Sequence, residues 1–268
     1  MNRAFNQLFG PVLERLPENN RLERIWVLAK VEFKKRYYHS ILGLVWAILN
    51  PLFRLVVYYI IFTKVFNSRI ENFALYLFSG LILWLFFVEA TRKSFQIIRT
   101  KKYLLENTTV NKIDLFLAST LSAFIGFLFN VGVFLAFLFF SDVQLTIHAF
   151  WLPVIIVGMY FLVLGVSLIL STVYIFFTDL HQIWDMVGFA GRFASPIFIP
   201  VEIFYNDFWP LRFINPVAGP IINLHRTVIY GQSPDVPLFL YSLSYAAILL
   251  CIGFFVMNKY SYKALEKL

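Results

Sequence analysis

Six apolar runs, each close to the length a helix needs to cross a bilayer, dominate this sequence. A spanning helix takes about 20 mostly apolar residues. The runs are Ile41–Thr63, Phe73–Thr91, Leu115–Phe140, Phe150–Phe177, Trp184–Phe204 and Leu238–Asn258. The fourth is long enough to tilt or to extend past the bilayer. The fifth contains Gly188, Gly191, Arg192 and Pro196, so a broken or short helix is expected there. With 60% hydrophobic and only 14% charged residues, 268 residues have more apolar surface than a soluble core can hide; the 19% aromatic content excludes disorder. The expected fold is an all-α integral membrane domain of six transmembrane helices over residues 41–258. Residues 1–40 precede it and a short tail, 259–268, follows. Residues 1–40 mix charged and apolar positions and lack the continuous apolar stretch of a secretory signal peptide.

Lys and Arg set the orientation of such a chain. Eight lie in the first 40 residues, six between 92 and 114 and three in the tail, so seventeen fall on one side. Only Lys64, Arg69, Arg212 and Arg226 fall on the other. Both termini are therefore expected in the cytoplasm. The cations flank spans instead of gathering in a soluble domain, so nucleic acid is not an expected partner.

Three segments are not simple spans. In Arg21–Tyr38, Leu22, Ile25, Trp26, Ala29, Phe33 and Tyr37 recur at spacings of three and four, with Arg24, Lys30, Lys34 and Lys35 supplying charge. Such a helix lies in the interface against membrane lipid. It is either an anchor or, standing directly before the first span, a lever that pushes on it. Residues 92–114 are longer than a simple turn requires. Phe95, Ile98, Lys102 and Leu105 give them a partial helical face, Asn107 and Thr108 mark a break, and Asn111 caps the third span. This is either a docking element for a cytoplasmic partner or a solvated basic loop. Residues 205–231 are apolar but interrupted by Pro210, Pro216 and Pro220. Two short re-entrant helices on the outer side, between spans five and six, fit this pattern. Irregular backbone at membrane depth must be buried in protein or face a watery cavity.

Charges inside spans are costly and face an interior or one another. Arg54 is near the middle of span one, Glu89 is in span two and Arg192 in span five. Glu89 and Arg192 form a candidate pair at similar depth, either structural or part of a transport route. Arg54 is a candidate contact for an anionic substrate or a lipid headgroup. No catalytic site emerges. None of the 12 glycines precedes a lysine, so there is no Walker A loop. His39, His148, His181 and His225 are scattered without metal-ligand spacing, and Cys251 is the sole cysteine. The chain is expected to be no enzyme and to bind no cofactor or metal of its own. If ATP drives transport, another subunit must hydrolyse it.

Specific motifs add to this reading. Lys34–Leu52 carries Arg36, Tyr37, Ser40, Leu42, Gly43, Trp46 and Pro51 in the order R-Y-x-x-S-x-L-G-x-x-W-x-x-x-x-P. Ser79, Gly80, Trp84, Phe86 and Phe87 form S-G-x-x-x-W-x-F-F. Asp179 and Gln182 follow Thr178, and Ser195–Pro196 and Asn215–Pro216 come after them. Over residues 20–260 this succession resembles polysaccharide-exporting ABC transporter permeases of the O-antigen, capsule or teichoic-acid type. Thr178 stands where that family has an arginine.

The resemblance implies a homodimer in the bacterial inner membrane, paired with two copies of a separate ATPase that bind ATP and Mg. It implies export of a lipid-linked polysaccharide, O-antigen first among the candidates. Sugars stack their C–H faces on aromatic rings, so the candidate channel residues are Tyr37, Tyr38, Trp46, Tyr58, Tyr59, Trp84 and Phe87, with Arg54. For each, an interfacial belt or lipid contact is the competing role. Candidate ATPase contacts are Arg24, Lys30, Lys34, Phe95, Arg99, Lys102, Asp179, His181 and Gln182. Closure of the ATPases would bias a two-state equilibrium of the spans. The competing classes are an ion-coupled secondary transporter, an ABC exporter of small molecules, and a membrane glycosyltransferase, which would need a carboxylate or metal constellation that is not evident.

Overall fold

The computed structural model describes residues 20–37, 43–66, 70–101, 110–207 and 209–266. Among them, regular structure is helical throughout. The expected Tyr38 and Lys102 positions, with residues 102–109 of the 92–114 loop, lie outside the described residues.

Helix α1 covers Arg21–Tyr37 and α2 covers Val45–Ile60, closing in a π turn at Ile61–Val65. Helix α3, Phe73–Phe95, is followed by the single turn α4, Ile97–Thr100. Helix α5, Lys112–Phe139, starts at Asn111, whose side chain accepts from the Ile113 N–H at 3.0 Å. This is the cap expected from the sequence; it satisfies one of the free donors of the first turn. A 3-10 turn leads into α6, Leu152–Phe176, and α7 follows at Leu180–Phe193. The short helices α8 (Val201–Asn206), α9 (Leu211–Ile214) and α10 (Ala218–Leu224) precede the long α11, Val236–Glu266.

Five of these segments are long and apolar enough to cross a membrane: Val45–Val65, Phe73–Phe95, Lys112–Phe139, Ile147–Phe176 and Val236–Met257. Helix α3 is apolar all round and forms the axis of the bundle, with 83% of its apolar window buried. It packs on α2, α5, α6 and α7, while α6 lies along α11. The α6–α11 contact is close because Gly165 faces it. A Cβ there would stand 2.8 Å from the Leu250 backbone nitrogen. Small residues at such seams let helix backbones approach within the apolar phase.

The expected fifth span is shorter than its run. The helix begins at Leu180, ahead of Trp184, and stops at Phe193, ahead of Phe204. Its 14 residues reach about 21 Å, short of the roughly 30 Å hydrocarbon core. Pro196 and Pro200 lack the N–H groups that would continue it. The end of α7 is latched instead by the later Asn-Pro motif. Asn215 Nδ2 donates to the Ala194 carbonyl at 3.0 Å and to Ser195 Oγ at 2.7 Å. Ser195 Oγ donates to the Gly191 carbonyl at 2.7 Å. The second half of the proline-broken segment is folded into the protein, with every residue of α10 buried, whereas α9 has no buried residue. Burial of α10 satisfies the requirement for irregular backbone at depth.

The interface helix buries a narrower stripe than its periodicity suggests. Ile25, Leu28 and Ala29 pack against α5, whereas Leu22 and Trp26 remain 79% and 47% exposed. A helix that docks on another helix hides only the stripe facing it. The start of the 92–114 segment is also more ordered than a loop: α3 continues through Phe95, and Ile97 and Ile98 are buried.

Candidate functional site

The bundle has a basic end, which carries α1, α4 and the α6–α7 turn, and an opposite end, which carries α8 to α10. A cavity of about 290 Å³ opens near the basic end between the last turn of α1 and helices α2, α3 and α5. Tyr37, Trp46 and Glu89 line it together with Arg36, Asn50, Lys93 and Asn130. Tyr37 is held by Phe33, at 4.8 Å between ring centroids, and by the Arg36 guanidinium 5.8 Å from its ring. Its hydroxyl fits against α5 because residue 126 is glycine. Asn130 Nδ2 is spent on the Gly126 carbonyl at 3.1 Å, which leaves its Oδ1 without a partner. Sequence reasoning passed over Asn50 and Asn130. The available signal was a lone amide inside an apolar run.

Tyr58 and Tyr59 lie further along α2, toward the opposite end. Tyr58 meets Phe198 edge-on at 5.1 Å, and Phe62 stacks on Phe198 at 4.6 Å, with Phe193 behind at 5.3 Å. Of these rings, Phe62 and Phe198 border a hollow of about 470 Å³ whose polar members are Glu71, Glu202 and Tyr230. Burial, with Glu202 and Glu71 nearby, pushes the Tyr230 hydroxyl up to about 12, so it remains a neutral donor. Tyr59 stacks on Phe73 at 6.1 Å and is 41% exposed. Phe62, Phe193 and Phe198 were missed because nothing in the sequence separates them from the other phenylalanines.

Trp84 and Phe87 occupy a third place. Both are buried between α3 and α7, and Trp84 Nε1 donates to the Gly188 carbonyl at 3.0 Å. They border an apolar hollow of about 420 Å³ with Trp184, Asn215 and Tyr245. Within the chain the expected aromatic set is therefore divided among three surfaces. Arg54 is half-buried on α2 and has no acidic partner among the described residues.

The expected Glu89–Arg192 pair does not form. Trp184 Nε1 donates to Thr91 Oγ1 at 2.9 Å, and Arg92 pairs with Asp185 at 3.0 Å. With Trp84 set against Gly188 and Gly191, this register places Arg192 level with Trp84 or beyond. Glu89 is five residues nearer the basic end, or about 7 Å at helical rise. It faces the first cavity, while Arg192 donates to the Tyr58 hydroxyl. Equal depth was inferred from span ends, and the actual register is set by the tryptophans.

The expected partner contacts divide too. Lys30, Lys34, Arg99, Asp179 and Gln182 are exposed at the basic end. His181 is half-buried, with Nδ1 3.3 Å from the Thr178 carbonyl. Arg99 lies 5.9 Å over Tyr174, which brings α4 beside the α6–α7 turn. Phe95 is fully buried against Tyr174 and Trp184, and Arg24 turns inward to Asp114. These two are packing and anchoring residues. Lys35, on the same helix as Lys30, is brought down to about 8 by burial and by Lys101, against the opposing pull of Glu32.

Comparison with known proteins adds to this geometry. A family model described as ABC-2 type transporter matches residues 23–227. An O-antigen export system permease protein RfbA from Klebsiella pneumoniae is 27% identical over 242 residues, covering 90% of this chain and 93% of that protein. A second Klebsiella pneumoniae protein of that name is 26% identical with the same coverage. A Myxococcus xanthus protein of that name is 24% identical over 212 residues, covering 78% of this chain and 81% of its own length.

Proposed function

The chain belongs to the ABC-2 type transporter family, and from that premise we propose that it is the membrane-spanning permease of an ATP-driven exporter of lipid-linked polysaccharide, of the O-antigen kind. Two copies form the pathway in the bacterial inner membrane, with the basic end in the cytoplasm against two ATPase subunits. This chain carries no Walker A loop, so ATP and Mg are held by those subunits. The similar proteins named as O-antigen export permeases support the substrate, and the Lys and Arg asymmetry supports the orientation.

One observation carries the pathway. Helix α2, with its π turn, is long enough to span, yet only 11% of its apolar window is buried. It also carries Arg54 and Tyr58 near its middle. An intramembrane arginine on a helix so little covered by its own protomer faces a shared interior, not lipid. Beside it, the Tyr58, Phe62 and Phe198 rings offer flat apolar faces, and Glu202 and Glu71 offer acceptors for sugar hydroxyls. Many weak stacking contacts suit a repeating polymer that must slide.

Deletion of the gene tests the reading. The expected result is loss of surface polysaccharide with accumulation of completed lipid-linked polymer inside the cell. Unchanged surface polysaccharide would contradict it.

A further inference from the structure

Asp114, in the first turn of α5, has no solvent exposure, yet it receives two guanidinium groups from α1. Arg21 Nε donates to Oδ1 at 2.7 Å, and Arg24 donates to Oδ2 through Nη2 at 2.7 Å and Nε at 3.1 Å. Residues three apart lie on one helix face, so the carboxylate grips α1 across nearly a full turn. Charge-assisted bonds of this length are short and directional. A second tie stands further along: Lys101 Nζ, just past α4, meets Glu32 Oε1 at 2.5 Å. Glu32 is eleven residues beyond Arg21, about 16 Å along α1. Between the two ties, Leu28 and Ala29 pack with Ile97, Ile98, Leu115 and Phe116. A helix tied by charge at two points, with its core packed between them, cannot slide or roll on α5 without breaking one tie.

We infer that Asp114 is a positioning residue of transport, which locks α1 to the start of α5, and, with the Glu32–Lys101 tie holding α4 to α1, makes these cytoplasmic elements move as one body. Chain order alone would send a push on α1 into α2, the next helix. The contacts send it into α5, and from there into α3, the buried axis of the bundle. Burying a charge is weak evidence for stability, and a well-packed apolar group often holds a helix as firmly. What the carboxylate adds is a fixed register, because its two oxygens accept from Arg21 and Arg24 in one arrangement. Coupling needs such a discrete element to carry a bias from one site to another. The inference rests on the ABC reading, since it takes an ATPase to be the source of the push.

The test uses the full complex with its ATPase, with Cys251→Ser as background. Spin labels at Leu22→Cys on α1 and Leu128→Cys on α5 report the distance between the helices, nucleotide-free and nucleotide-trapped. With Asp114 in place the distance is expected to stay the same in both states. With Asp114→Asn it is expected to change on trapping. Export should then fall by about tenfold while ATP hydrolysis is retained, and Asp114→Glu should restore export. A distance that changes on trapping while Asp114 is present overturns the clamp, and that measurement decides even if the asparagine variant does not assemble. An equal fall of hydrolysis and export in an assembled Asp114→Asn complex also overturns it. A chain that assembles with no ATPase at all overturns the transport reading instead.

Discussion

Trp84 Nε1 donates to the Gly188 carbonyl at 3.0 Å, across the contact between the central helix and the short seventh one. The far edge of the same indole lies 2.6 Å from where a Cβ on residue 191 would stand. One side chain thus supplies a hydrogen bond to α7 and fills the notch left by a glycine on it. With the Trp184 bond to Thr91, it sets how far α7 stands along α3. Gly191→Val is expected to force the two helices apart. Trp84→Ala should cost about 3–5 kcal/mol as a large core truncation. Thermal unfolding of the purified complex in detergent checks both; midpoints equal to that of the parent would show that the contact does not hold α7.

Asn215 closes the end of α7 through Ala194 and Ser195. Asn215→Leu removes the donor to the part-buried Ala194 carbonyl, at a cost of about 1 kcal/mol. Limited proteolysis should then cut first between residues 194 and 216. A cleavage pattern like that of the parent would argue against the latch.

Among the described residues Arg54, on α2, has no acidic partner. Arg54→Leu is expected to lower export by about tenfold while leaving the complex assembled, and Arg54→Lys to retain most of it, because the cation is what the pathway uses. Immunoblots of surface polysaccharide compare the two. Full export by the leucine variant would remove Arg54 from the pathway.

The aromatic group at the opposite end gives a separate expectation. Phe62→Ala with Phe198→Ala removes a pair stacked at 4.6 Å, and Phe62→Trp keeps a flat ring. The double alanine variant should export shorter or less polymer, and the tryptophan variant should not. Stacked rings contribute about 0.5–1.5 kcal/mol beyond their buried area, so instability from the alanines must be checked by the yield of assembled complex.

Much of this architecture was legible in the residues. Five runs became helices long and apolar enough to span a membrane, as expected where every backbone group must be satisfied internally. Asn111 announced its cap by standing just before an apolar run. The prolines marked where the fifth span would break. What could not be read was lateral pairing. Helical periodicity shows that α1 has an apolar face, but not that Arg21 and Arg24 converge on Asp114, because their partner is 90 residues or more away in the chain. The Glu89–Arg192 expectation failed for the same reason. Depth along antiparallel helices depends on a register that Trp84 and Trp184 fix through side-chain contacts. The candidate channel aromatics were chosen by residue type, and their division over three surfaces follows from packing around α3.

The most direct measurement places the permease and its ATPase partner in sealed vesicles with lipid-linked polysaccharide on the ATPase-accessible side. The account predicts that the polymer raises ATP hydrolysis about fivefold or more and becomes protected inside the vesicles only when ATP is supplied. Polymer that leaves hydrolysis unchanged and stays outside, or that crosses on an ion gradient without ATP, would contradict it.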